Sequence, residues 1–176
     1  MLLKNAKGAL PLKGGLKLAV VGPLADDASG LKSDYEGAGD DNTESIYAAL
    51  ARANTGGSTV YSQGVSITGS WSAANSSSSP AIAAVGAAEV VVLVVGLTKA
   101  QEHEGMDRKD TLLPAGQAGF AASVFAAAGS TKPVIVILCN VRPVDNCAAF
   151  VLSCFTVGFH NEDYSDQQLK IYLAVV

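Results

Sequence analysis

Charge is scarce in this chain, and no sign of it is gathered anywhere. With 12 Lys and Arg against 16 Asp and Glu, the 176 residues carry a net charge of −4. That pattern lacks the clustered cations a phosphate backbone needs, so nucleic acid is excluded as a partner. Long hydrophobic runs are missing too. The longest, residues 90–95 and 134–139, fall far short of the roughly 20 residues that cross a bilayer, so they read as core strands and no membrane partner is expected. Cysteine is sparse: Cys139, Cys147 and Cys154 show no C-x-x-C spacing, and an odd count cannot close into a full disulfide framework. Each is expected to be structural, with Cys139 a small hydrophobe in a buried strand pattern. The opening Met1-Leu2-Leu3-Lys4-Asn5 has neither the apolar stretch nor the cleavage site of a secretory leader. Either the protein is not exported or Met1 is not the true start, and the compartment stays open. The sequon Asn75-Ser76-Ser77 is only a mild pointer to export.

What the chain does have is apolar mass. With 49% hydrophobic residues it can bury one core and is too short for two, so one domain is the default. Residues 17–22 are a short β-branched run stopped by Gly22-Pro23, the pattern of a first buried strand. Residues 24–41, rich in Gly, Asp and Ser around Tyr35, read as a loop over the sheet edge. Asn42 or Thr43 is placed to cap a helix in which Ile46, Ala49, Leu50 and Ala53 recur at helical spacing, ended by Gly56-Gly57. A weaker strand is expected at 58–63 and a low-complexity surface loop at 67–79. Ser79-Pro80 starts a helix through Ala88 that feeds the central strand at 89–96. Leu113-Pro114 restarts a helix along Gln117, Phe120, Ala121, Val124 and Phe125, closed by Gly129-Ser130, and Lys132-Pro133 opens the strand at 134–139.

Strand and helix therefore alternate and the strands are wholly apolar. This predicts an α/β fold, a three-layer α/β/α sandwich with a mostly parallel sheet. Beyond residue 150 the pattern fades. Residues 151–155 read as one more strand, 158–168 are polar and irregular, and the apolar 169–176 has no visible partner. The expected division is a sandwich domain over 1–150, incomplete at its C-terminal end, and an atypical tail over 151–176.

Chemistry is expected in one place. Glu102, His103, Glu104, Asp107 and Arg108 crowd the polar loop at the carboxyl end of the central strand, and that end is where open α/β sheets take their ligands. The bland alternative is a solvated connection braced by an ion pair of Asp107 and Arg108. A nucleotide-binding reading requires G-x-G-x-x-G at the first strand-to-helix turn. Gly22-Pro23-Leu24-Ala25-Asp26 has neither those glycines nor an immediate helix.

Several short motifs stand in register. They are Leu2-Leu3-Lys4-Asn5 with Leu10-Pro11-Leu12, Leu18-Ala19-Val20-Val21-Gly22-Pro23 with Ala25-Asp26, Val95-Gly96-Leu97, Glu102-x-Glu104-Gly105-x-Asp107-Arg108 and Leu112-Leu113-Pro114-x-Gly116-Gln117. Lys132-Pro133-Val134-Ile135-Val136 and Pro143-Val144-Asp145 extend the series. In order and spacing the chain resembles the second domain of glycoside hydrolase family 3, nearest its β-xylosidases and β-glucosidases. The resemblance implies a retaining β-glycosidase in which an N-terminal (β/α)8 barrel carries an Asp nucleophile and this sandwich supplies the general acid/base. The implied substrate is a β-linked oligosaccharide or glycoside, with no cofactor and no metal. Retaining hydrolysis takes two carboxyl groups about 5 to 5.5 Å apart.

Glu104 matches the family position for the acid/base, and Glu102, two residues away, is the alternate. His103, Asp107 and Arg108 are implied to line the sugar site or hold the loop, the Arg fork being suited to orienting a carboxylate. The barrel and its nucleophile are absent from this chain, so it is expected to be a fragment that is inactive by itself. The alternative is a non-catalytic carbohydrate-binding module on the same scaffold. After Pro143-Val144-Asp145 the chain departs from the family, with Asn146-Cys147-Ala148-Ala149-Phe150 and an unfamiliar tail that point to a truncated or misread gene.

Overall fold

A strand with no polar break is stable only where both of its faces are covered. In the computed structural model, which describes residues 2–5, 8–32, 42–76, 78–140 and 170–175, two such strands form the middle of a sheet. The strands are β1 (Leu2–Asn5), β2 (Lys17–Val21), β3 (Ser58–Ser62), β4 (Val90–Gly96), β5 (Val134–Asn140) and β6 (Lys170–Val175). The helices are α1 (Ile46–Ala53), α2 (Pro80–Ala87) and α3 (Gln117–Ala128). The sheet order is β1-β6-β5-β4-β2-β3, and β4 and β5 are buried along their whole length. The strands β3, β2, β4 and β5 run parallel; β6 is antiparallel to β5 and parallel to β1.

Side chains alternate across a strand, so each apolar strand serves two cores. Val91, Leu93 and Val95 of β4 pack with Ala81 and Val85 of α2 and with Phe120 and Val124 of α3. Val90, Val92 and Val94 face the other way, onto Leu24, Ala25 and the half-buried Ile46, Tyr47 and Leu50 of α1. The result is the expected three-layer sandwich, α1 on one face and α2 with α3 on the other.

Local differences from the sequence reading have identifiable causes. The cap of α1 is Ser45 rather than Asn42 or Thr43: its Oγ accepts the Ala48 N–H (3.1 Å) and donates to Asp26 (2.5 Å), tying the helix to the segment after β2. The helix α3 begins at Gln117, not at Leu113-Pro114. Ala115 takes a φ of 46° and the Gly116 N–H donates to the Gly69 carbonyl (2.9 Å), so this segment is a turn docked on the preceding loop. That loop is anchored too, with Trp71 edge-on against Phe120 at 4.9 Å and its Nε1 donating to Ser123 (2.9 Å). The last apolar segment, for which sequence offered no partner, is β6, lodged between β1 and β5. Cys147, Cys154, Tyr35 and its neighbours at 33–41, the segment at 143–150, the candidate strand at 151–155 and the polar stretch at 158–168 lie outside the described residues. Among the described residues no helix is long and apolar enough to cross a membrane.

Candidate functional site

Parallel strands deliver their carboxyl ends to one edge of the sheet, and a crevice opens where neighbouring strands send their connections to opposite faces. The adjacent strands β2 and β4 meet that condition, since β2 leads to α1 on one face and β4 leads on to α3 on the other. The crevice therefore lies between the segments that follow Val21 and Gly96. The polar loop of residues 97–113 follows β4 at that edge.

Gly96 is where β4 leaves the sheet. Its φ is 140°, and a Cβ there would stand 1.9 Å from the Cys139 carbonyl oxygen, which also accepts the Leu97 N–H at 2.7 Å. No other residue fits that approach. Both backbone groups of Gly96 go to one side chain, the fully buried Gln117: Oε1 accepts the Gly96 N–H (2.8 Å) and Nε2 donates to the Gly96 carbonyl (2.9 Å). The same Nε2 donates to the Ile67 carbonyl (3.1 Å). The carboxamide stands in for a neighbouring strand at the point where the ladder runs out. Its role was not read from sequence, although the signal was present: a Gln on the apolar face of a helix needs a backbone partner.

From Gly96 the loop coils once. Gln101 Oε1 accepts both the Thr98 hydroxyl (2.7 Å) and the Thr98 N–H (3.0 Å), and the N–H groups of Gln101 and Glu102 donate back to the Thr98 carbonyl (3.0 and 3.3 Å). A reverse turn follows. His103 and Met106 exchange both backbone hydrogen bonds, at 3.3 and 3.0 Å, around Glu104 and Gly105. Gly105, at φ 82°, takes the left-handed conformation that the third residue of a type II turn requires.

This geometry sorts the five predicted site residues. Glu104 is exposed at the tip of the turn. Glu102 is 3% exposed, and its Oε2 accepts from Arg108 Nε at 3.2 Å. Arg108 also donates from Nη1 to the Leu112 carbonyl (2.7 Å), so its guanidinium braces the loop from within. The sequence reading placed a brace on Asp107 and Arg108; the Arg108 contacts described here run to Glu102 and to the Leu112 carbonyl. His103 Nδ1 donates to the Lys99 carbonyl (2.8 Å), which fixes the ring's tautomer and its orientation. Asp107 is exposed beside the turn.

In the segment after β2, Asp27 accepts from the Gly30 N–H and the Ser29 hydroxyl, both at 2.8 Å. Burial, then the charges of Asp26 and Asp27, push the Tyr61 hydroxyl above its ordinary range. Among the described residues no group of three or more His, Cys, Asp or Glu side chains could hold a metal ion.

Comparison with known proteins covers most of the chain. Residues 1–157 match the family described as the glycosyl hydrolase family 3 C-terminal domain. A periplasmic beta-glucosidase of Salmonella typhimurium is 30% identical over 163 residues, which is 82% of this chain and 21% of the enzyme. A probable beta-D-xylosidase of Arabidopsis thaliana is 34% identical over 147 residues, 82% of this chain and 18% of that protein. The crystal structure of a Bifidobacterium adolescentis GH3 beta-glucosidase superposes with a TM-score of 0.61 at 26% identity, over 77% of this chain and 19% of that one. The chain thus spans about a fifth of the length of the curated relatives it matches. With the family pattern matched over 157 residues and its motifs folded into the strand ends and the loop just described, the chain belongs to glycosyl hydrolase family 3, as a C-terminal domain of that family.

Proposed function

We propose that this chain supplies the general acid/base of a retaining β-glycosidase acting on a β-xyloside or β-glucoside. Glu104 is that group, and the nucleophile belongs to a (β/α)8 barrel outside these residues. One observation carries the reading, namely the different fates of the two carboxylates in the loop. A proton donor must reach the glycosidic oxygen. Glu104 stands exposed at the end of its turn, whereas Glu102 is buried. The relatives named as beta-glucosidase and beta-xylosidase support the substrate class.

The roles follow from retaining chemistry. The barrel carboxylate attacks the anomeric carbon, the bond to the leaving oxygen breaks, and Glu104 gives that oxygen its proton. In the second half-reaction the Glu104 carboxylate takes a proton from water, the water oxygen attacks the anomeric carbon, and the bond to the barrel carboxylate breaks. The two carboxyl groups must stand about 5 to 5.5 Å apart, so the barrel presents its nucleophile to the open side of the Glu104 turn. His103 in that turn and Asp107 just after it, both exposed, are our candidates for meeting sugar hydroxyls.

The test is hydrolysis of aryl β-xylosides and β-glucosides by the chain alone and by the chain mixed with a family barrel. The expected result is no turnover alone, turnover in the mixture, and a loss of about 10²–10⁴-fold in the mixture with Glu104→Ala. Turnover by the chain alone overturns the proposal. An inactive mixture in which the chain still binds xylo- or gluco-oligosaccharides transfers the assignment to a non-catalytic carbohydrate-binding module.

A further inference from the structure

We infer that the Glu102–Arg108 pair is a positioning clasp that holds the Glu104 turn in its working geometry; this rests on the acid/base reading of Glu104 given above. Glu102 precedes Glu104 by two residues and Arg108 follows it by four, so the pair closes the loop across the base of the turn. Arg108 joins three points with one rigid group. Its Nε meets Glu102 Oε2 at 3.2 Å on the entering arm, its Nη1 meets the Leu112 carbonyl at 2.7 Å on the leaving arm, and its own backbone lies between them. A planar guanidinium fixes direction as well as distance, which a single ammonium does not.

Two further observations assign the order of this loop to the clasp. Packing does not supply it: Met106 and Leu112, the large apolar side chains between residues 98 and 112, are 37% and 53% exposed. Stability does not account for the pair either. The side chains of Arg108 and Glu102 are only 13% and 4% exposed, and a pair so far removed from water returns little or none of the desolvation it costs. What such a pair does supply is a fixed geometry. An acid that must meet one oxygen depends on that geometry, because small misplacements of a reacting group cost large factors in rate.

Hydrogen exchange on the chain itself tests the clasp without any turnover. In the parent protein the His103 and Met106 amides, which bond each other's carbonyls, are expected to be protected. In Glu102→Gln and Arg108→Gln they are expected to exchange at least about tenfold faster while β4 and β5 amides keep their rates. Unchanged exchange at His103 and Met106 overturns the inference. If the neutral variants lose β4 protection as well, Arg108→Lys decides: it leaves a cation beside Glu102 but cannot hold Glu102 and the Leu112 carbonyl in one fork, so the turn must still loosen.

A second arm separates positioning from support in general, using the chain mixed with a family barrel. Arg108→Lys is expected to lower kcat/KM, which reports the glycosylation half-reaction alone, about 10–100-fold on a phenyl glycoside, whose leaving oxygen needs the proton, and to change it about twofold or less on a dinitrophenyl glycoside, whose leaving oxygen does not. Equal losses on both mark a scaffold role and overturn the positioning claim. A parent mixture with no activity counts against the acid/base reading alone, and the exchange measurement still decides whether the clasp exists.

Discussion

At the scale of single residues, burial changes what a side chain can do. The Cys139 thiol lies in β5 with no exposed surface, and loss of hydration pushes it from 9.0 up to about 12. Above pH 9.0 the unfolded chain releases this proton and the folded chain keeps it until about 12. The folded state therefore binds the extra proton across that window, and stability falls as pH rises through it, by up to about 1.4 kcal/mol per pH unit. Below the window the thiol contributes no pH dependence. Cys139→Ala, whatever it costs at neutral pH, is expected to show a shallower loss of unfolding free energy between about pH 9 and 11, measured by urea titration. Tyr61, raised by burial and by Asp26 and Asp27, acts in the same direction in both proteins and cancels in the comparison. The same property separates Glu102 from Glu104. Their spacing places both in one loop; Glu102 is buried and ion-paired with the arginine six residues further on, and Glu104 is exposed.

Elements are shaped by where the chain can leave them. At Gly96 the backbone bends away from β5 at a φ of 140° with the Cys139 carbonyl 1.9 Å from where a Cβ would sit, whereas Gly86, exposed in α2, has nothing within 4 Å of that position. Gly96→Ala is expected to lower unfolding free energy by about 3 kcal/mol or more, the backbone conformation alone accounting for about 1–3. Gly86→Ala is expected to raise it by about 0.5–1 kcal/mol, because alanine restricts the unfolded chain and suits a helix. Denaturant midpoints of the two variants must move in opposite directions; movement the same way contradicts the assignment.

β2, β4 and β5 were legible in the sequence, since an unbroken apolar run of four to six residues between turn signals has few alternatives to a covered strand. The ends of the helices were less legible. The start of α3 depends on Gly116 docking against Gly69, and the cap of α1 depends on Ser45 meeting Asp26, both contacts between segments distant in sequence. The candidate loop was found for a similar reason to the strands, as polar residues at the end of an apolar run. Its internal ties were not: Gln117 reaches Gly96 across 21 residues, and the Gln101 and Arg108 bonds, though local in sequence, depend on turns of the loop that no periodic pattern marks.

For the whole molecule, the candidate loop depends on the far end of the chain. Gly96 and Leu97 rest on the Cys139 carbonyl, Cys139 belongs to β5, and β5 is held on its outer side by β6 through an antiparallel register from Ile135↔Val175 to Asn140↔Lys170. The strand β1 pairs only with β6 among the described residues. Deleting residues 170–176 would leave β5, buried along its whole length, as an apolar open edge and would leave β1 with no strand to join. An edge of that kind recruits other chains. The deleted protein is therefore expected to elute as larger species in size-exclusion chromatography and to lose more than about 3 kcal/mol of unfolding free energy, since several buried backbone groups go unpaired at once. It is also expected to lose hydrogen-exchange protection at the Leu97 amide, whose acceptor is the Cys139 carbonyl. A monomeric product with unchanged midpoint and an unchanged Leu97 amide would show that the loop takes its order from ties such as Gln117 and the Glu102–Arg108 pair, and that β6 plays no part in holding the Glu104 turn.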